Sequence, residues 1–210
     1  MASKCSMVRF RGDTEKMSGI LMAGGQSSRM GRDKGFISLG GRMLYQFPLR
    51  VLEALCDEIL ISSCNDFPHA EGHRVVCDEI SGIGPIGGLY TCLKKARHHL
   101  CLVISYDMPL VKPALFRHLL QQRKDEDIVV PVHEGHRFEP LCGLYHKNAL
   151  QAMEAQIKQG SYALHQLFAG PNYRLVPVGP ELAFYSPNLF LNINEKKDLD
   201  QLSALPDYAP

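Results

Sequence analysis

Residues 22–34 read Met-Ala-Gly-Gly-Gln-Ser-Ser-Arg-Met-Gly-Arg-Asp-Lys and bring Gly24, Gly25 and Gly31 together with the hydroxyls of Ser27 and Ser28 and the cations Arg29 and Lys34. Glycine tolerates positive φ and lets backbone N–H groups approach a phosphate with no Cβ in the way. A guanidinium such as Arg29 can grip phosphate oxygens as a fork, whereas an ammonium such as Lys34 acts as a movable point charge. The plain alternative, a solvated glycine turn, leaves this gathering of anion donors unexplained. The loop is not a P-loop, because Met30 stands where that pattern requires its second glycine. The spacing therefore predicts a phosphate loop of another kind.

A second candidate is Asp107, in Asp107-Met108-Pro109 directly after an apolar run. Joining two phosphates brings a dianion to a polyanion, so catalysis there is mostly positioning and charge neutralisation. A phosphate monoester is already ionised at neutral pH and needs no general base. The lack of paired carboxylates or an obvious catalytic histidine fits that chemistry. Mg²⁺ takes one or two carboxylates plus substrate phosphates and water, and Asp107 can supply one such oxygen. Its bland role would be a cap for the next helix, which Pro109 and Pro113 push further away. The segment 82–87 formally matches G-x-G-x-x-G, which makes a dinucleotide-binding oxidoreductase the runner-up. Against it, Pro85 removes an N–H from the turn and the preceding strand ends several residues earlier. His133-Glu134-Gly135-His136 has metal-like residue types but reads as a hairpin turn, and His98-His99 reads as a solvated helix end.

These residues need a scaffold. Apolar runs predict strands at 18–22, 58–62, 74–77, 100–106, 127–132, 141–145 and 174–178. Helical spacing of apolar residues predicts helices over 43–55, with Pro48 kinking it or marking its true first turn, and over 86–96. Further helices are expected after Pro113, at 148–158 and from Glu195. Such alternation implies an α/β protein, with a mostly parallel sheet covered on both faces. Ligands of such sheets sit at the carboxyl ends of the strands near the topological switch point, which gives weight to 24–34 and to Asp107.

Lys plus Arg number 23 against 22 Asp plus Glu, a net charge of +1 that excludes a strongly basic nucleic-acid binder and an acidic tail alike. No apolar stretch approaches the ~20 residues needed to span a bilayer, so a soluble, cytoplasmic protein is expected. The seven cysteines include no C-x-x-C pair, and the expectation is buried thiols rather than a disulfide framework. Residues 1–17 hold charges and no apolar block, and read as an extension outside a single domain spanning 18–210.

The stretch from Leu21 to Lys34 matches L-x-A-G-G-x-S-x-R-M-G-x-D-K and strongly resembles the signature of the nucleotidyltransferases that include molybdenum cofactor guanylyltransferase. The resemblance continues through Gly84-Pro85-Ile86-Gly87-Gly88, Asp107-Met108-Pro109 and Asn192-Ile193-Asn194, in the family's order. It implies a Rossmann-like three-layer fold and Mg²⁺-dependent transfer of GMP from GTP to the terminal phosphate of molybdopterin. By position it implies GTP contacts at Met22, Ala23, Gly24, Gly25, Lys34 and Asp78. It also implies a Mg²⁺ ligand at Asp107, with Lys34 and Arg29 stabilising the departing pyrophosphate, and nucleotide or pterin contacts at Gly84, Asn192 and Asn194. Cytidylyl relatives usually carry Ala-Ala-Gly where this chain has Ala23-Gly24-Gly25, which favours guanine over cytosine. Cytidylyl or other nucleotidyl transfer to a different phosphate acceptor is the alternative, and a nucleotide-sensing module without turnover is a third reading, opposed by the intact Lys34 and Asp107. Asn192 and Asn194 are expected on one side of a strand, with Asn194 either a ligand or a helix cap, since Glu195-Lys196 replaces the family's usual Thr-Pro. Arg137 is a candidate for the pterin phosphate or a surface residue. Other proteins of cofactor biosynthesis, or chaperones of recipient molybdoenzymes, are implied as partners.

Overall fold

A computed structural model describes residues 15–24, 37–39, 41–65, 67, 70, 72–170, 172–194, 197, 198 and 202. The stretch from Gly25 to Lys34 expected to bind phosphate, Arg29 included, lies outside them, as do Cys5 and the start of the helix expected from Glu195.

Strands β1 (Met17–Met22), β4 (Glu58–Ser62), β5 (Arg74–Val76), β6 (Leu100–Ser105), β7 (Ile128–His133), β8 (Arg137–Phe138), β9 (Cys142–His146) and β10 (Tyr173–Pro177) form one sheet, ordered β10-β7-β9-β6-β1-β4-β5 with β8 on the margin of β7. A small antiparallel pair, β2 (Ser38–Leu39) and β3 (Arg42–Met43), stands apart. The helices are α1 (Gln46–Glu53), α2 (Pro85–Lys95), α3 (Pro113–Gln122) and α4 (Ala149–Lys158), followed by a 3₁₀ segment, Leu164–Ala169. Pro48 falls in the first turn of α1, where its missing N–H costs no intrahelical bond. Strand β1 starts one residue earlier than the expected 18–22: Met17 is buried in it, and its N–H donates to Asp57 Oδ2.

The pairings β1–β4, β4–β5, β1–β6 and β7–β10 are parallel, while β9 runs antiparallel to β6 and β7. β1 and β6 are buried at every position, as strands covered on both faces must be. Alternation along β1 divides the core. Leu21 packs with Leu49 and Leu52 of α1 and Phe116 of α3, while Ile20 and Met22 pack with Ile86 and Leu89 of α2 and Met153 of α4. The result is three layers, helices over both faces of a sheet. Among the described residues no helix is long and apolar enough to cross a membrane.

The chain leaves β1, moves outward through β4 and β5, then returns through α2 to lay down β6 on the other flank of β1. The strand order therefore reverses at the β1–β6 boundary, the topological switch point at which sheets of this kind bind their ligands.

The expectation of buried thiols throughout is corrected. Cys64 and Cys77 are exposed and bonded to each other, because the ends of β4 and β5 bring them side by side, while Cys92, Cys101 and Cys142 are buried and Cys56 is half-buried. The strand expected around Asn192 is also corrected. Residues 187–194 form turns and irregular chain, tied down by the Ile193 N–H, which donates to Asp107 O at 2.9 Å.

Candidate active site

Main-chain bonds lock the three strand ends together. Met22 is in register with Ser62 on β4 and with Ser105 on β6. The Ala23 N–H donates to Ser62 O at 3.1 Å, and the Tyr106 N–H donates to Met22 O, also at 3.1 Å. Gly24 and Asp107 each lie two residues beyond a registered pair, so Gly24 and the candidate metal ligand leave neighbouring strands at the same edge of the sheet.

A cleft of about 570 Å³ opens beside this point. Met22, Ala23, Gly24, Asp78 and Gly84, all marked out by sequence, line it. So do Ser62, Ser63, Asn65 and Ser81, which sequence reasoning missed. The signal for the first three was available: 62–65 reads Ser-Ser-Cys-Asn immediately after an apolar strand, so polar groups gather at the ligand-binding edge. Asp107, Asn192 and Asn194 are not on the cleft's wall. The first two elements instead meet each other through the Ile193–Asp107 bond, and the exposed Asn194 donates its N–H to Asp198 Oδ2 at 2.7 Å.

Close approach of α2 shapes the cleft. Gly84 has φ +74°, a left-handed turn that suits glycine, and it delivers Pro85 to the first position of α2. A Cβ on Gly88 would stand 2.3 Å from Ser62 Oγ and 2.9 Å from Asp78 Oδ1. Only a residue without a side chain lets the helix settle against these polar groups. The Ser62 hydroxyl donates to Asp78 Oδ1 at 3.4 Å. Burial raises the Asp78 carboxyl above its ordinary value, and the Ser62 hydrogen bond works against that rise.

Asp107 has a partly buried carboxyl, with Oδ1 shut off from solvent. It does not cap α3, whose N-cap is Lys112. A hard carboxylate oxygen at the switch point suits Mg²⁺, which needs few protein ligands. Among the described residues no group of three or more His, Cys, Asp or Glu side chains could hold a metal.

The His133–His136 segment is a turn, as expected, with Glu134 at φ +48° and Gly135 at +78° between β7 and β8. Beyond it, a second cavity of about 460 Å³ lies among residues 136–140, Leu164 and His165, and Arg137 is on its wall. His133 Nε2 lies 3.0 Å from Glu139 Oε1, and its ring stacks on Phe190 at 4.4 Å. His133 thus braces the segment that carries Asn192.

Comparison with known proteins now decides the family, because a model described as the MobA-like NTP transferase domain matches residues 19–175. The chain belongs to the MobA-like NTP transferase family. A relative from Halalkalibacterium halodurans, named "Probable molybdenum cofactor guanylyltransferase", is 32% identical over 87% of this chain and 96% of its own length. One of the same name from Thermococcus gammatolerans is 32% identical over 89% and 98%. The solved molybdopterin-guanine dinucleotide biosynthesis protein A of Archaeoglobus fulgidus superposes with a TM-score of 0.72 at 26% identity, over 88% of this chain and 95% of that one. A cytidylyltransferase of Thermus thermophilus, at 19% identity and TM-score 0.67 over 90% and 98%, shares the fold. This member of the family is a nucleotidyltransferase with a Rossmann-like fold, and the oxidoreductase reading of residues 82–87 falls away.

Proposed function

We propose that this chain transfers GMP from GTP to the terminal phosphate of molybdopterin and releases pyrophosphate. One observation carries the reading: the carboxyl ends of β1 and β6 lie side by side at the switch point, so the loop beginning at Gly24 and the carboxylate of Asp107 can face one triphosphate. An oxygen of the acceptor phosphate attacks the α-phosphorus of GTP, a new P–O–P link forms, and the bond to the β-phosphate breaks with its electron pair leaving on pyrophosphate. No proton need be removed, because the attacking phosphate is already ionised.

Met22, Ala23, Gly24 and Gly25 hold the nucleotide through backbone, and Asp78 lines the pocket for it. Arg29 and Lys34 neutralise the pyrophosphate as charge develops there. Asp107 holds Mg²⁺, which when bound supplies charge neutralisation at the phosphates. Gly84 shapes the nucleotide pocket, and Asn192 and Asn194 belong to the pterin side. The setting is the cytoplasm, where GTP is abundant.

The test is a panel of GTP, CTP, ATP and UTP with molybdopterin and Mg²⁺, followed by pyrophosphate release. GTP is expected to be strongly preferred. Preference for CTP would move the chain to cytidylyl chemistry, and equal turnover of all four would overturn the guanine assignment.

A further inference from the structure

The described cysteines fall into two populations. Burial pushes the thiols of Cys56, Cys92 and Cys101 up to about 12 and that of Cys142 well above its ordinary value, which leaves them inert. Cys64 and Cys77 are exposed, joined by a disulfide, and placed where β4 and β5 end at the nucleotide cleft. The last ladder pair between those strands is Ser62–Val76, and beyond it the Ser63 N–H donates to Val76 O at 3.0 Å. Past that point the disulfide is the covalent tie between the two strand ends. Cys64 lies on the cleft wall between Ser63 and Asn65, and the Asp78 N–H donates to Cys64 Sγ at 3.3 Å. The bond therefore fixes the spacing between the 63–65 turn and Asp78, neighbours on the wall of one cleft.

We propose that Cys64 and Cys77 form a thiol–disulfide exchange site that sets the nucleotide affinity of the cleft, tight when oxidised and looser when reduced. The inference rests on reading this cleft as the GTP subsite. The co-reactant is a dithiol. Its thiolate attacks one sulfur, the Cys64–Cys77 bond breaks, a mixed disulfide forms, and the released cysteine thiolate takes a proton. The reductant's second thiol then displaces the other cysteine and leaves as a disulfide, so two electrons and two protons pass to Cys64 and Cys77. Reoxidation by a small disulfide reverses each step. Both cysteines are open to solvent, so neither direction requires unfolding.

A cross-link of sequence separation 13 limits the open forms of the wall. Its loss makes binding carry the ordering cost.

The test uses the full chain equilibrated in oxidised or reduced dithiothreitol, with the disulfide followed by alkylation and intact mass. In the reduced form the Kd and KM for GTP are expected to rise about threefold to tenfold, with a smaller change in kcat. Cys77→Ser is expected to hold the reduced-state affinity in both buffers. Hydrogen exchange supplies a readout that does not need GTP: amides at 63–65 and 76–79 should exchange faster in the reduced form. If both forms fail to bind GTP, the assignment of the cleft to GTP is wrong, and the exchange difference still decides the cysteine proposal. Equal exchange and equal affinity in forms shown by mass to differ at Cys64 and Cys77 would overturn it, as would alkylation of both thiols under oxidising conditions.

Discussion

The two flanks of the sheet are built by different means. On the β1–β4–β5 flank the cleft is made from small residues and main chain, Gly24, Ser62, Ser63 and Gly84 among them, and Gly88 lets α2 come close to Ser62 and Asp78. On the β7–β10 flank, large side chains are held in pairs. His133 stacks on Phe190, Phe138 meets Phe168 edge-on at 4.7 Å, and Phe168 meets Tyr173 at 5.4 Å. A subsite formed by close approach tolerates almost no added atom, because something must move to admit one. A subsite formed by side-chain pairs loses interactions one at a time. On the proposed function, the first flank takes the triphosphate and the second the acceptor.

That contrast can be broken or sharpened by substitution. Asp107→Asn, at the junction of the flanks, keeps the shape and removes the charge, and should lower kcat about a thousandfold in a pyrophosphate-release assay. Wild-type turnover at saturating Mg²⁺ would remove Asp107 from the proposed chemistry. Gly88→Ala puts a methyl group 2.3 Å from Ser62 Oγ, and should raise the KM for GTP about tenfold with a smaller effect on kcat. A silent Gly88→Ala would mean that the first flank yields more easily than its packing implies.

On the other flank, His133→Ala removes the Phe190 stack and the Glu139 contact, and should raise the acceptor KM about fivefold while leaving the KM for GTP unchanged. A shift in both constants would show that the flanks are coupled. The smallest effect belongs to the outer margin. Burial pushes the Glu126 carboxyl up, but the Lys124 N–H and the Arg174 side chain, which binds its Oε1, outweigh it and hold it down at about 2. The folded value lies below the unfolded value of about 4.3, so this stabilisation is complete above about pH 5 and fades as pH falls toward 2. Glu126→Gln should lower Tm by about 4 °C at pH 7, with the deficit shrinking at acid pH and kinetics unchanged.

Much of the scaffold was legible because its signals are local. The unbroken apolar run 100–105 announces a strand covered on both faces, and Pro113 marks the start of α3. Asp107 could be marked out because it ends that run. The reversed direction of β9 was not legible, since Cys142–Tyr145 are buried like the residues of the parallel pair β1 and β6, and direction depends on a partner far away in sequence. The 187–194 segment misled for a related reason: its apolar and polar residues alternate like a strand, but its N–H groups go to turns and to Asp107.

By itself the sequence determined the principal strands and helices from β1 to β10, the residue types gathered at 22–34 and the carboxylate after the central strand, because composition and periodicity act over a few neighbouring residues. Tertiary structure alone decided that α2 rests against Ser62 and Asp78 through Gly88, that His133 braces the Asn192 segment, and that Cys64 meets Cys77. Each of those depends on a distance between strands, and such distances are set only when the sheet assembles.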